Sequence, residues 1–85
     1  MKLVSSARYE TELPKIIKGK SEISIKISNK LKILLLNPRH PSLRLHKLAG
    51  SNNYSVSVNM SIRIIVHFSG EFIYLLRIGT HENVY

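Results

Sequence analysis

Apolar and polar residues follow two different periods along this 85-residue chain. In the first half the apolar positions recur every three to four residues, as in amphipathic helices, and in the second half they alternate over short runs, as in strands. The pattern predicts helices over residues 6–18 and 21–36, and strands over 2–4, 43–48, 53–59, 62–68 and 72–78. We expect one α+β domain, with two N-terminal helices packed on one face of a small twisted antiparallel sheet.

Each predicted helix contains a local ambiguity. Pro14 lies inside the first helix, where its missing N–H and its clash with the preceding turn predict a kink or a late start. In the second helix, residues 23–27 alternate isoleucine with a polar residue, which would also suit a strand. The later spacing, from Ile27 to Leu34, is helical and no turn divides the segment, so we interpret residues 21–36 as one helix.

The turns between the last strands predict how the strands pair. If residues 69–71 form a three-residue loop, Val66 faces Tyr74 and Ile64 faces Leu76 on one apolar face, and a similar loop over 59–61 extends that face. The opposite face then carries polar and cationic residues beside apolar ones: Ser55, Ser57, Arg63, His67 and Arg77 with Ile65, Ile73 and Leu75. Apolar residues among cations indicate a surface that is covered, either by a partner or by the C-terminal tail or a loop of this chain.

Positive charge is concentrated in the predicted helical half. The formal net charge is +8, and residues 1–48 hold eleven Lys or Arg against three Glu, whereas the remainder is neutral. A basic half beside a neutral, strand-rich half is typical of a protein that binds a polyanion or an acidic partner. A solvated, lysine-rich helical surface would give the same count.

Composition excludes several classes of protein. The chain has no cysteine, which excludes disulfides, thiol catalysis and cysteine-based zinc sites and fits a reducing cytoplasm, the location that we predict. Its longest aliphatic run, residues 33–36, is far too short to cross a membrane, so we expect no membrane partner. There is no aspartate and the five glutamates are scattered, so we predict neither a metal nor another cofactor.

Three segments carry a family resemblance. Residues 40–43 read His-Pro-Ser-Leu before the predicted sheet, residues 62–65 read Ile-Arg-Ile-Ile, and residues 79–81 read Gly-Thr-His after the last strand. Together they resemble the RelE/ParE superfamily of bacterial type II toxins, most closely its YafQ-like ribonuclease branch. The resemblance covers nearly the whole chain. It implies a RelE-like fold, cleavage of messenger RNA on the ribosome, and a cognate antitoxin protein that silences the toxin.

The resemblance also implies a role for each of four residues. His81 matches the histidine that acts as general acid or base, His46 takes the complementary proton transfer, Arg63 binds the scissile phosphate, and Tyr85 stacks on or orients a nucleotide. Attack by the RNA 2′-hydroxyl needs a base, an acid and a cation on the phosphorane, and histidine and arginine supply these functions. Further contacts to RNA or phosphate are expected from Arg44, Lys47, Arg77 and His67.

One departure from the family pattern stands just before Arg63. YafQ-like relatives often place an acid and an aromatic there, whereas this chain has Met60-Ser61-Ile62. Two other functions also fit the residues: a ParE-like toxin that inhibits a DNA topoisomerase, and a basic RNA- or ribosome-binding module without catalysis. Retention of His81, His46 and Arg63 favours the ribonuclease, because an inhibitor has no need of groups that transfer protons.

Overall fold

The computed structural model describes residues 1–84. Two long helices precede most of a five-stranded sheet, which gives the α+β fold that the sequence predicts. The elements in chain order are β1 (Lys2–Ser5), α1 (Ala7–Ile17), α2 (Ser21–Leu36), a 3-10 turn (Pro41–Leu43), β2 (His46–Lys47), β3 (Asn53–Ser57), β4 (Ile62–Ser69), β5 (Phe72–Thr80) and α3 (His81–Val84).

The sheet is mixed. Its order is β1-β5-β4-β3-β2, with β1 parallel to β5 and each other neighbouring pair antiparallel. The prediction of a wholly antiparallel sheet is therefore wrong at β1. A parallel pair needs a long crossover between its strands, and here the crossover contains both long helices and the β2–β4 strands.

Ser6 fixes the start of α1 to the sheet. Its hydroxyl accepts the Tyr9 N–H at 3.0 Å, as an N-cap, and donates to the Leu76 carbonyl of β5 at 2.8 Å. The helix then runs through Pro14 to Ile17, without the late start that the proline allowed. The second helix is continuous from Ser21, in agreement with the helical interpretation of its ambiguous beginning.

The hydrophobic core lies between the helices and one face of the sheet. Tyr9 of α1 and Ile27 and Leu34 of α2 pack there against the sheet and the 3-10 turn. The buried residues that they meet are Leu43, Val56, Val58, Ile62, Ile64, Val66, Ile73, Leu75 and Ile78. Burial in this core raises the pKa of the Tyr9 hydroxyl to about 12, because the charged phenolate would lose its hydration.

The pairing of β3 with β4 has the predicted register, since Tyr54 lies opposite Val66 and Val56 opposite Ile64. The predicted β4–β5 register is wrong. A two-residue turn, in which Gly70 adopts a φ of 58°, places Ser69 opposite Phe72. An irregularity between Ile65 and Val66 then shifts the pairing again, so that Ile64 faces Ile78.

The changed register moves two residues to the core. Ile73 and Leu75 were expected on the face away from the helices, but both belong to the core cluster on the helix side. Leu76 is the extra residue of β5 at the irregularity, and it restores the alternation so that Ile78 also points into the core. Tyr74 moves the other way, since it pairs with His67 on the face away from the helices and not with Val66.

The predicted strand over residues 43–48 is wrong for most of its length. Residues 41–43 form the 3-10 turn, Arg44 adopts a left-handed backbone with a φ of 46°, and only His46–Lys47 pairs as β2. Leu43 is fully buried, with 0% of its surface exposed. Its burial, together with a cap in which His40 Nδ1 accepts the Ser42 N–H at 3.1 Å, holds the chain in a turn.

Glu12 of α1 occupies the edge of β5 beyond the end of β1. Its Oε1 accepts the Ile78 N–H at 3.2 Å and its Oε2 accepts from Arg77 Nη2 at 2.7 Å. The hydrogen bond from Arg77 is the main cause that holds the pKa of the Glu12 carboxyl below its usual range. A carboxylate thus satisfies backbone and side-chain donors where no strand continues the sheet.

We expect Glu12→Gln to lower the free energy of unfolding at pH 7 by about 1–2 kcal/mol, because a hydrogen-bonded charge pair is lost. A carboxyl whose pKa is lowered on folding stabilises the folded state at pH values above its unfolded-state pKa of about 4.3. This stabilisation is lost as the pH falls through the folded-state pKa. Urea denaturation should therefore separate the variant from wild type at pH 7 and much less at pH 3. An equal loss of stability at both pH values would contradict the assignment, and Glu22→Gln, at an exposed position of α2, is the matched control.

Candidate functional site

The face of the sheet away from the helices, which we call the second face, carries most of the candidate residues. Side chains on neighbouring strands point to the same side when their residues are paired, so the register arranges them in rows. One row contains Ser57, Arg63 and Gly79, the next contains His46, Ser55, Ile65 and Arg77, and a third contains Asn53, His67 and Tyr74.

Arg63 has an unused hydrogen-bonding group on this face. The residue is half-buried, and its Nη1 atom is buried without a hydrogen-bond partner among residues 1–84. The Ser55 hydroxyl, in the next row, is likewise buried and unpartnered within that part of the chain. Buried polar atoms without partners are costly, and a phosphate oxygen is an acceptor that would satisfy a guanidinium strongly.

His81 lies at the same corner as Arg63. It begins α3 directly after β5, its side chain is exposed, and its N–H donates to the Ser61 carbonyl at 3.2 Å. That bond joins the start of α3 to the β3–β4 turn, two residues before Arg63. The Gly79–Arg63 pair lies directly beside it in the sheet.

The short helix α3 folds back over the second face. A Cβ atom added to Gly79 would lie 3.0 Å from Cγ1 of Val84, so glycine allows the close approach. Val84 is buried, and Ile65 is buried outside the core cluster of the helix side. The sequence left open whether a partner or this chain covers the face. The C-terminal part of the chain, through α3, therefore covers part of it.

His46 lies apart from His81. It is exposed on β2, the edge strand opposite to β1, and is paired with Ser55. Three strand spacings of about 4.8 Å separate β2 from β5, which amounts to roughly 14 Å across the sheet. The structure thus brings Arg63 and His81 to one corner and leaves His46 at the far edge. Tyr85, the fourth predicted catalytic residue, lies outside the described residues.

The residues predicted to bind RNA or phosphate are dispersed. Arg44 and Lys47 are both exposed, near the start of β2. His67 is half-buried, with its Nδ1 2.9 Å from Oδ1 of Asn53. Arg77 is engaged by Glu12, as described above, so it has a structural partner and is not part of the site that we propose.

The structure adds two lysines to this set. Lys26 and Lys30 of α2 line a groove with Arg44 beside the β3–β4 turn. Their spacing of four residues indicates a shared face of α2. Only the packing of α2 beside the 3-10 turn reveals that this face meets Arg44.

Two further properties concern the described part of the chain. No helix in it combines the length and apolarity that crossing a membrane requires. Over the same residues, no three histidine, cysteine, aspartate or glutamate side chains come together in a way that would hold a metal ion.

Solved structures with the same fold include those of bacterial toxins. A copper-bound mutant toxin from Helicobacter pylori aligns with a TM-score of 0.86 and 17% identity over 100% of this chain and 99% of that chain. A YoeB/ParE toxin from Agrobacterium tumefaciens aligns with a TM-score of 0.83 and 16% identity over 95% and 99%. YafQ in the E. coli DinJ-YafQ toxin-antitoxin complex aligns with a TM-score of 0.81 and 18% identity over 98% and 94%.

No protein-family model matches the sequence, and no curated protein matches it. At 16–18% identity, the three structural alignments establish the fold. The RelE/ParE-type fold predicted from the sequence is therefore confirmed.

Proposed function

We propose that this protein is the toxin of a type II toxin-antitoxin system and that it cleaves messenger RNA on the ribosome, without a metal ion. The observation that carries the proposal is the corner of the sheet where Arg63, whose Nη1 is buried without a hydrogen-bond partner among residues 1–84, lies beside the start of α3 at His81. Such an arginine and a histidine on the same corner fit a phosphate whose ester bond is broken with the help of proton transfer. The toxins that share the fold support this choice.

In the proposed reaction the RNA 2′-hydroxyl attacks its own phosphate. A base removes the hydroxyl proton, the O2′–P bond forms, the P–O5′ bond breaks, and an acid protonates the departing 5′-oxygen. The products are a 2′,3′-cyclic phosphate and a 5′-hydroxyl. Arg63 binds the non-bridging oxygens, where negative charge increases in the phosphorane, so it stabilises the transition state more than the bound substrate.

His81 performs one of the two proton transfers in this scheme. His46 keeps the complementary transfer that the sequence predicts. Because His46 stands three strands from β5 and both proton transfers act on one phosphate, the role requires the scissile phosphate to lie on the second face between the two histidines, near the row that contains Ile65. Tyr85 keeps its predicted contact with a nucleotide. Which histidine is the acid depends on which end of the RNA lies toward β2.

The proposed partners follow from the same function. They are the ribosome and its messenger RNA, in the cytoplasm, and a cognate antitoxin. YafQ is bound to the antitoxin DinJ in one structure with this fold. An acidic or partly disordered antitoxin segment would complement the net charge of +8.

We expect expression of the wild-type chain to arrest translation and to cut translated messages, and His81→Ala to reduce cleavage about 100-fold or more because a proton-transfer group is lost. Primer extension on a translated reporter message measures cleavage, and circular dichroism checks that the variant folds. Lys15→Ala, on the exposed side of α1, is the control and should cut as wild type does.

Two results would contradict the proposal. Intact messages together with a DNA-damage response would instead indicate a ParE-like inhibitor of a topoisomerase. Translation arrest with intact messages that His81→Ala does not relieve would indicate an RNA- or ribosome-binding module without catalysis.

A further inference from the structure

A cationic groove lies on the rim of the sheet, beside the β3–β4 turn. Its volume is about 220 Å³. Three positively charged side chains line it, Lys26 and Lys30 from α2 and Arg44 from the segment before β2. The remaining lining residues are Ser42, Ser57, Val58, Asn59 and Met60.

The three cations are held close together. Lys30 Nζ donates to the Ser42 carbonyl at 2.7 Å, which fixes the ammonium and leaves two of its three N–H groups for another acceptor. Partial burial lowers the pKa of Lys30, and the neighbouring charges of Lys26 and Arg44 lower it further. This direction of shift is the one that crowding of like charges produces.

Nothing in the described part of the chain neutralises the groove. The ion pairs within residues 1–84 both belong to Glu12, on the other long helix. The Ser42 hydroxyl, at the groove wall, is buried and has no hydrogen-bond partner among the same residues. An anion in the groove would offset the repulsion and accept from the hydroxyl.

Arg44 reaches the groove from an unfavourable backbone. Its φ of 46° is a left-handed conformation that non-glycine residues rarely adopt, and glycine would suit the position better. Strained backbone concentrates where a side chain has a task that requires the strain. The strained backbone of Arg44 therefore supports a functional role for its side chain at the groove.

We propose that this groove binds a phosphate of the RNA strand next to the phosphate on Arg63, an inference that rests on the proposed function. Ser57 lines the groove and is also the cross-strand partner of Arg63, so the two sites lie on adjacent strands. A phosphate presents tetrahedrally arranged oxygens, which can accept from two ammonium groups, a guanidinium and a hydroxyl at once. The groove would then set the direction in which RNA leaves the cleavage site.

The test measures binding of the full-length chain to a fluorescent, single-stranded 2′-O-methyl RNA, which lacks the attacking hydroxyl. The variant is Lys26→Gln with Arg44→Gly, in which the glycine suits the positive φ while the charge is removed. We expect about tenfold weaker binding at 0.1 M salt, and a salt slope smaller by roughly 0.7, because the groove binds one phosphate and each neutralised phosphate of a single strand contributes about 0.7. The matched control, Lys15→Gln with Lys32→Gln, removes two exposed charges outside the groove and should change affinity less than threefold.

Competition distinguishes the possible anions. We expect unlabelled RNA of the same chemistry to displace the probe, and inorganic phosphate at millimolar concentration to displace little of it. Binding and salt slope of the groove variant equal to those of wild type would overturn the proposal. Loss of binding to a polyglutamate peptide with unchanged RNA affinity would also overturn it, because the groove would then receive an acidic protein segment.

Failure of the groove and failure of the proposed function give different results. Because the probe cannot be cleaved, its binding does not depend on catalysis. Groove-dependent binding by a wild-type chain that cuts no message would leave the groove assigned and overturn the ribonuclease. Cleavage by wild type, with RNA binding unaffected in the groove variant, would overturn the groove assignment and leave the ribonuclease supported. Thermal unfolding of Arg44→Gly alone, expected at or above the wild-type temperature, checks that lost binding is not lost folding.

Discussion

Arg63→Met is expected to reduce messenger cleavage by about 100- to 1,000-fold and to leave thermal stability unchanged or raised. The loss of activity follows from removing the cation that the proposed reaction places on the scissile phosphate, and donors of this kind contribute a factor of that size. The effect on stability follows from burial. Nη1 of Arg63 is buried without a partner within residues 1–84, so replacing the guanidinium by an apolar side chain removes a desolvation cost.

A loss of cleavage without a loss of thermal stability distinguishes a functional arginine from a structural one. Primer extension measures cleavage, and calorimetry or circular dichroism measures the unfolding temperature. Arg63→Lys, which keeps the charge but loses the two-pronged guanidinium, should have intermediate activity. Lys15→Met, at an exposed position of α1 outside both ion pairs of Glu12, is the control and should retain both activity and stability. A variant at Arg63 that unfolds at a much lower temperature, or that cuts as wild type does, would contradict the assignment.

Leu43→Ala is expected to lower the free energy of unfolding by about 2–5 kcal/mol, a large share of the roughly 5–15 kcal/mol that stabilises a typical domain. Leu43 has 0% of its surface exposed and belongs to the core cluster, so its truncation leaves a cavity. The 3-10 turn that contains it precedes Arg44 and His46. The variant should therefore also weaken RNA binding, because the residues that follow the turn lose their support.

The chain provides a matched control for this loss. Leu36 at the end of α2 is 87% exposed, and Leu36→Ala makes the same chemical change without a cavity. The free energy of unfolding of Leu36→Ala, measured by urea denaturation, should lie within about 0.5 kcal/mol of the wild-type value. A Leu43→Ala variant as stable as Leu36→Ala would mean that the 3-10 turn is not anchored by the core.

The candidate site was only partly predictable. Arg63 in a central strand and His81 after the last strand follow from the order of elements, and pairing of β4 with β5 brings them to one corner. The contact of Arg77 with Glu12 could not be predicted, since Glu12 stands 65 residues earlier. No local sequence pattern predicts such a contact, because it arises from the packing of α1 along the edge of β5.

The amino-acid sequence by itself determined the helices, the main strands, the register of β3 against β4 and the second-face position of Arg63, because each depends on a local period or a short turn. The tertiary structure alone decided that β1 runs parallel to β5, that the β4–β5 register shifts between Ile65 and Val66, and that Lys26 and Lys30 meet Arg44. It also decided that His46 stands far from His81. Periodicity assigns a side chain to one face of its own element, whereas neighbours from distant segments are set by how the elements pack.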